Sequence, residues 1–358
     1  MQLFNCNHCG HPVYFDNVRC DNCGHSLGFD PERMLMLSLV AEEGGKWRSP
    51  ASGKVFKYCA NQTHDVCNWL IPMEKDSHYC MACELNRVIP NLTNPNYADR
   101  WRKIEQAKHR LVYALLKWGL PITGKFKDTD SGLIFDFKAD DHLPEGERIL
   151  TGHAMGVITL NIAEADDVER EMAKKQMDEV YRTVLGHFRH EVGHYYWEHL
   201  VLDSPWMDGF HRLFGDERQS YQACLDYYYR NGPQKDWGNS FISPYATMHP
   251  WEDWAETWAH YMHIVDTLET AYSFGLQVQP RREKQGDWLS THVEENAYTC
   301  KDFQTIISMW MPLSIAMNSM NRSMGARDLY PFVLSPPVIE KLDFVHRVVR
   351  DSGEQVGG

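Results

Sequence analysis

His190-Glu191-Val192-Gly193-His194 places two imidazoles four residues apart with a carboxylate beside the first. Residues four apart share one face of an α-helix, so His190 and His194 can hold one metal ion together, and zinc suits paired imidazoles. Glu191 then lies where a base can take the proton of a zinc-activated water, whose pKa falls to about 7. Phe188, Val192 and the run 195–197 make the flanks apolar, as a buried helix requires.

A zinc site that performs chemistry takes three protein ligands and keeps one position open. A third histidine six residues after the second is excluded, because that position is Leu200, and His199 falls in the wrong register. A second motif supplies glutamates instead: Pro250-Trp251-Glu252-Asp253-Trp254-Ala255-Glu256-Thr257-Trp258. Glu252 and Glu256 share a helix face. Glu252 is the preferred ligand, with Glu256 hydrogen-bonding the far nitrogen of a ligand histidine; the reverse assignment is the alternative. Trp251, Trp254, Trp258 and Tyr261 mark a helix where unpaired carboxylates would be costly. Tyr245 and His249, seven and three residues before Glu252, are the candidates for a donor to the oxyanion that forms when water attacks a peptide carbonyl.

Eight of the ten cysteines fall within residues 6–83. Cys6-x-x-Cys9-Gly10 and Cys20-x-x-Cys23-Gly24 have the spacing of four thiolates around one structural zinc, each pair followed by a glycine for the tight turn. A short hairpin is expected between the pairs, from Val13, Tyr14, Phe15 and Val18. Cys59, Cys67, Cys80 and Cys83 form a looser second set, for which four thiolates are preferred, His64 or His78 are possible substitutes, and a core role for Cys59 and Cys67 is the alternative. Cys224 and Cys300 read as buried small hydrophobes.

The elements that must carry these residues follow from periodicity. Residues 97–119 read as one helix through Trp101, Ile104, Lys108, Leu111, Leu115 and Trp118, ended by Gly119 and Pro121, bridging the cysteine region to the rest. Residues 133–137 and 157–162 have strand character; the second reads as an edge strand able to pair with an extended substrate. One long helix or two covers 168–200, another lies near 217–230, and a third runs from Pro250 to about 274. Helices are also expected over 292–324 and 338–350. The Met-rich 309–324 could line a binding groove, but methionines at helical spacing read first as ordinary core.

At 358 residues the chain can bury a sizeable core, and 43% hydrophobic, 24% charged and 12% aromatic residues suit a folded globular protein. With 36 basic against 49 acidic side chains the formal charge is −13, which disfavours nucleic-acid and anionic-membrane partners. Residues 1–30 carry one arginine, Arg19, as their only basic group besides histidines, and basic runs elsewhere are as short as Arg281-Arg282. No segment has the eighteen or so apolar residues of a membrane span. The first six residues lead straight into a cysteine pair without an apolar signal core, so a cytoplasmic location is expected, where thiolates bind metal rather than form disulfides.

His190-Glu191-x-x-His194 followed by Glu252-x-x-Ala255-Glu256 resembles the glutamate zincins, and the spacing of Tyr245 is similar to that in the anthrax lethal factor class; Asp253 stands where that class has an aromatic. More of the chain resembles bacterial zinc-binding metallopeptidases with an N-terminal zinc-ribbon region. The matching pieces are the first two cysteine pairs with Leu27-Gly28-Phe29-Asp30-Pro31, Cys67-Asn68-Trp69, Cys80-x-x-Cys83 with Asn86-Arg87, Gly119-Leu120-Pro121, Gly186-His187-Phe188-Arg189-His190-Glu191 and the 249–260 segment. The resemblance implies a zincin fold and peptidase chemistry, with no substrate attached.

The expectation is thus an α+β chain, with zinc-ribbon modules followed by a mainly helical zincin-like domain carrying a small sheet. Its segments would be a zinc ribbon (1–30), a second zinc module (31–95), a linker helix (96–120), a catalytic domain (121–275) and a helical region (276–358). It would hold one catalytic and two structural zincs and hydrolyse peptide or isopeptide bonds, the ribbon region recruiting a protein partner. The alternative is a zinc-ribbon interaction module with a catalytically silent zincin domain.

Overall fold

The computed structural model describes residues 1–141, 143–144, 147–176, 182–281 and 288–356. The fold is α+β, small cysteine-bearing sheets giving way to a helical region. It divides into two compact units: Met1–Lys117 with Pro121–Phe188, and Trp118–Leu120 with Arg189–Gly358. One division, after Leu120, coincides with an expected segment end, whereas the ends expected at 30, 95 and 275 lie inside a unit.

In the first unit, β1 (Phe4–Asn5) and β2 (Pro12–Val13) pair antiparallel around the first cysteine pair, and an Arg19–Ser26 bridge does the same around the second. Strands flank each pair rather than filling the space between them, as the expected hairpin had it. Two extended arms are what bring the thiols of one turn together. Gly10 and Gly24 sit at φ of 75° and 74° and return their amides to Cys6 and Cys20, a turn that a side chain would strain.

The strands β3 (Ser26–Asp30), β4 (Leu35–Glu42), β5 (Lys46–Arg48), β6 (Val55–Tyr58) and β7 (Leu70–Pro72) form an antiparallel meander. A parallel bridge from Phe29 to Trp69 brings β7 back beside β3. Leu37, Leu39, Phe56 and Leu70 make the core of this sheet. After the second cysteine set come β8 (Asn86–Val88) and α1 (Pro95–Lys117). The stripe of Trp101, Ile104, Lys108, Leu111 and Leu115 is buried. Expected to be a bridge, α1 lies wholly within the first unit as a core helix.

A second sheet takes β8 with β9 (Ile134–Lys138), β10 (Gly152–Ala154) and β11 (Val157–Asn161), in the order β10-β11-β9-β8. This corrects the reading of 157–162 as an edge: β11 pairs antiparallel with β10 and parallel with β9, so both its backbone edges are used. Its β-branched composition could not separate an inner strand from an outer one. Then follow α2 (Asp167–Gln176) and α3 (Val184–Leu200), where one long helix or two were expected; residues 177–181 lie outside the described residues. Phe188, the last residue of the first unit, packs edge-on against Phe135 and Phe137.

The second unit continues α3 from Arg189 and adds α4 (Met207–Leu213), α5 (Tyr221–Asn231) and α6 (Pro250–Ser273). A two-stranded ribbon of β12 (Gln277–Val278) and β13 (Thr291–His292) precedes α7 (Phe303–Ser323) and α8 (Pro336–Val356). The helix expected from 292 starts only at Phe303, where the Asp302 carboxylate accepts from the amides of Gln304 and Thr305. At the centre lies α6, packed against α7 and α8, with Trp254, Trp258 and Tyr261 fully buried. No helix among the described residues is long and apolar enough to cross a membrane.

Candidate metal centre

Helices α3 and α6 meet at Gly193. A Cβ there would stand 3.2 Å from the Ala255 Cα and 3.2 Å from the Trp258 Cβ, so the glycine inside the histidine motif permits the close crossing. The Trp254 indole locks it by donating to the Gly193 carbonyl at 2.8 Å. Pro250 occupies the first turn of α6, and His249 caps that helix.

The crossing brings His190, His194 and Glu252 together, with one ligand atom from each within 4.8 Å of the others. The two Nε2 atoms face each other at 3.2 Å; Glu252 Oε2 lies 2.9 Å from that of His190, and Oε1 3.5 Å from that of His194. His190 Nδ1–H donates to Glu256 Oε1 at 2.6 Å, which leaves Nε2 with its lone pair for a metal. Ser243 in turn donates to Glu256 Oε2 at 2.6 Å. Glu252 is buried, and its Oε2 accepts no hydrogen bond of sound geometry. A buried carboxylate with one oxygen left so, its two oxygens facing one imidazole nitrogen each, is what a zinc-binding set of two histidines and a glutamate presents.

The electrostatics describe a tightly charge-paired cluster. Burial alone would push the Glu252 carboxyl up, but the imidazoles of His194 and His190 hold it well below the usual range. His190 is opposed by burial, yet Glu252 and Glu256 raise it well above normal. Glu191, also buried, is pushed up by desolvation, only partly offset by His190 and His194.

Tyr245 stands with its ring 6.2 Å from that of His190, and burial holds its hydroxyl firmly protonated. His249 is placed differently. Its Nδ1 accepts from the Trp251 amide at 3.1 Å, so Nε2 carries the proton and faces the Gln219 carbonyl at 3.2 Å. Both ring nitrogens are engaged in joining the start of α6 to the approach of α5. The residue that the sequence reading missed is Tyr221, whose hydroxyl donates to Glu252 Oε1 at 2.9 Å and also engages that of Tyr245. It lies 31 positions from its partner, with no motif to mark it. Trp251 flanks the site, its ring 3.9 Å from that of His194.

The cysteines gather in two groups, Cys6 with Cys9, Cys20 and Cys23, and Cys59 with Cys67, Cys80 and Cys83. Sulfur atoms stand 3.7 Å apart in the pairs Cys6–Cys23, Cys9–Cys20 and Cys67–Cys80. Four sulfurs at about 2.3 Å from a tetrahedral zinc are separated by about 3.75 Å, so the spacing fits that ion. In the buried group, burial pushes Cys67 and Cys80 well up, while hydrogen bonds from Cys59, Cys67 and Cys80 hold Cys83 well down. Four such thiols cannot ionise together without a cation among them. The imidazole that approaches is neither His64 nor His78 but His109 of α1, with Nε2 3.4 Å from Cys67 Sγ and 3.7 Å from Cys83 Sγ.

Comparison with known proteins follows the same lines. Residues 97–348 match the family described as "Putative zinc-binding metallo-peptidase". The chain belongs to this metallopeptidase family. Residues 3–94 match a zinc-ribbon domain. The chain is 43% identical over 350 residues to the uncharacterized proteins Rv2568c of Mycobacterium tuberculosis and Mb2598c of Mycobacterium bovis, covering 98% of this chain and 95% of each of them. No solved structure matches. Membership and donor chemistry together make this a zinc-binding protein.

Proposed function

We propose that the protein is a zinc-dependent peptidase that hydrolyses peptide or isopeptide bonds at the centre formed by His190, His194 and Glu252. The observation that carries the reading is the buried Glu252 carboxylate, whose Oε2 lacks a sound hydrogen bond and faces His190 Nε2 while Oε1 lies 3.5 Å from His194 Nε2, with Glu191 nearby. Zinc held there would polarise both a water molecule and the substrate carbonyl. Glu191 accepts the proton of the attacking water and returns it to the departing amine, a task suited to a carboxylate whose affinity for protons is raised. Tyr245, held protonated, donates to the carbonyl oxygen as negative charge develops. Glu256 and Ser243 keep His190 in the tautomer that presents Nε2. Two further zincs, each on four cysteines, brace the N-terminal region, where a protein partner would dock. Ten free cysteines, eight of them gathered in these sets, suit a reducing cytoplasm.

Glu191→Gln tests the reading, since Glu191 is not a ligand. On a broad peptide library cleavage falls by at least about 10²-fold, the contribution of a positioned general base, with zinc content unchanged. Equal behaviour of variant and wild type would favour the alternative, a zinc-ribbon interaction protein whose peptidase-like domain is silent.

A further inference from the structure

The two oxygens of Glu252 have unequal surroundings. Oε1 accepts from the Tyr221 hydroxyl at 2.9 Å and lies 3.5 Å from His194 Nε2, whereas Oε2 accepts no sound hydrogen bond and faces His190 Nε2 at 2.9 Å. Tyr221 is the first residue of α5, a helix with none of its own residues fully buried. Its position is held by specific contacts. His249 engages the Gln219 carbonyl just before α5, Ser220 caps the helix by accepting from the Ala223 amide, and the Tyr228 ring sits edge-on to Tyr245 at 5.7 Å. The Tyr221 ring lies 5.4 Å from that of His249 and 6.3 Å from that of Trp251.

We infer that Tyr221 is a positioning residue for the metal ligand Glu252. By holding Oε1, which lies 3.5 Å from His194 Nε2, it would leave Oε2, facing His190 Nε2, as the free donor, so that the carboxylate would bind through one oxygen and a position would stay open for water and substrate. His249, placed at the α6 cap, sets the approach of α5 that aims Tyr221. A carboxylate free to swing could close on the metal with both oxygens and fill that position. The inference rests on the ligand set of the proposed function but not on the activity, so metal binding tests it separately.

The experiment uses the full chain with its cysteine-bound zinc retained, and titrates the His190 centre with Zn2+ against a chelating dye and with Co2+ by visible absorption. Tyr221→Phe keeps the ring and removes the hydroxyl, and Tyr228→Phe, on the same helix, is the control. Tyr221→Phe should bind Zn2+ about 10- to 100-fold more weakly, the usual cost of losing a partner of a metal ligand. Its Co2+ spectrum should weaken in the visible bands, as four-coordinate cobalt becomes five-coordinate, while the thermal unfolding of the chain without that metal stays unchanged. Tyr228→Phe should match wild type in both titrations. Wild-type Zn2+ affinity and Co2+ spectrum in Tyr221→Phe would overturn the inference even if cleavage were lost. Equal weakening by Tyr228→Phe would overturn it too, by pointing to the helix as a whole.

Discussion

The group of Cys59, Cys67, Cys80 and Cys83 and the centre of His190, His194 and Glu252 both gather donor atoms away from solvent, but their neighbours differ in kind. Around the sulfurs stand groups that hold charge still. Fully buried Lys108 pairs with Glu105 at 2.8 Å and lies over the rings of Phe135 and Phe137; Glu105 also accepts from Asn86 and Trp101; and His109 reaches two of the thiols. Around the imidazoles stand groups that can exchange or donate protons: Glu191, Glu256, Tyr221 and Tyr245. Four ligands complete a tetrahedron, whereas three leave room for a reactant. On the proposed function, the neighbours more than the donor atoms would separate a brace from a reaction centre.

The comparison breaks most visibly if the brace is removed. Cys67→Ser should cost the first unit its zinc and, since structural zinc binding supplies on the order of 10 kcal/mol in small domains, leave little soluble folded protein. A soluble Cys67→Ser chain melting at the wild-type temperature would mean that the cluster is not part of folding. At the other centre the effects are smaller and fall on function. Ser243→Ala frees one oxygen of Glu256 and should weaken Zn2+ binding by about tenfold with unchanged unfolding, readable by dye competition. Unaltered affinity there would sharpen the picture by leaving Glu256 to orient His190 without help.

Much of the site was legible because its chemistry is local in sequence. Two histidines one helical turn apart, and two glutamates likewise, need only a helix to face one way. Gly193 and Ala255 are small because the helices cross there, which a motif shows as residue types but not as a contact. What stayed hidden joins distant positions. Asp253, the departure from the aromatic pattern, is buried and its carboxyl pushed up to about 7 by desolvation, with the Lys341 ammonium donating to it at 2.6 Å across 88 positions. Tyr221 meets Glu252 across 31 positions, and His109 meets Cys67 across 42. Strand order was hidden for the same reason, since β11 gains its inner place from pairing with both β9 and β10. His249 was marked by its distance from Glu252, but the same spacing also makes it the residue that caps α6.

The most direct test is to count zinc while a mild chelator is applied and cleavage is followed in the same sample. The account predicts three zinc ions per chain, of which one is withdrawn first. Activity should vanish with that ion and return when Zn2+ is restored, with the secondary structure intact throughout. Loss of cysteine-bound zinc before activity falls, or cleavage that survives removal of the labile ion, would contradict it.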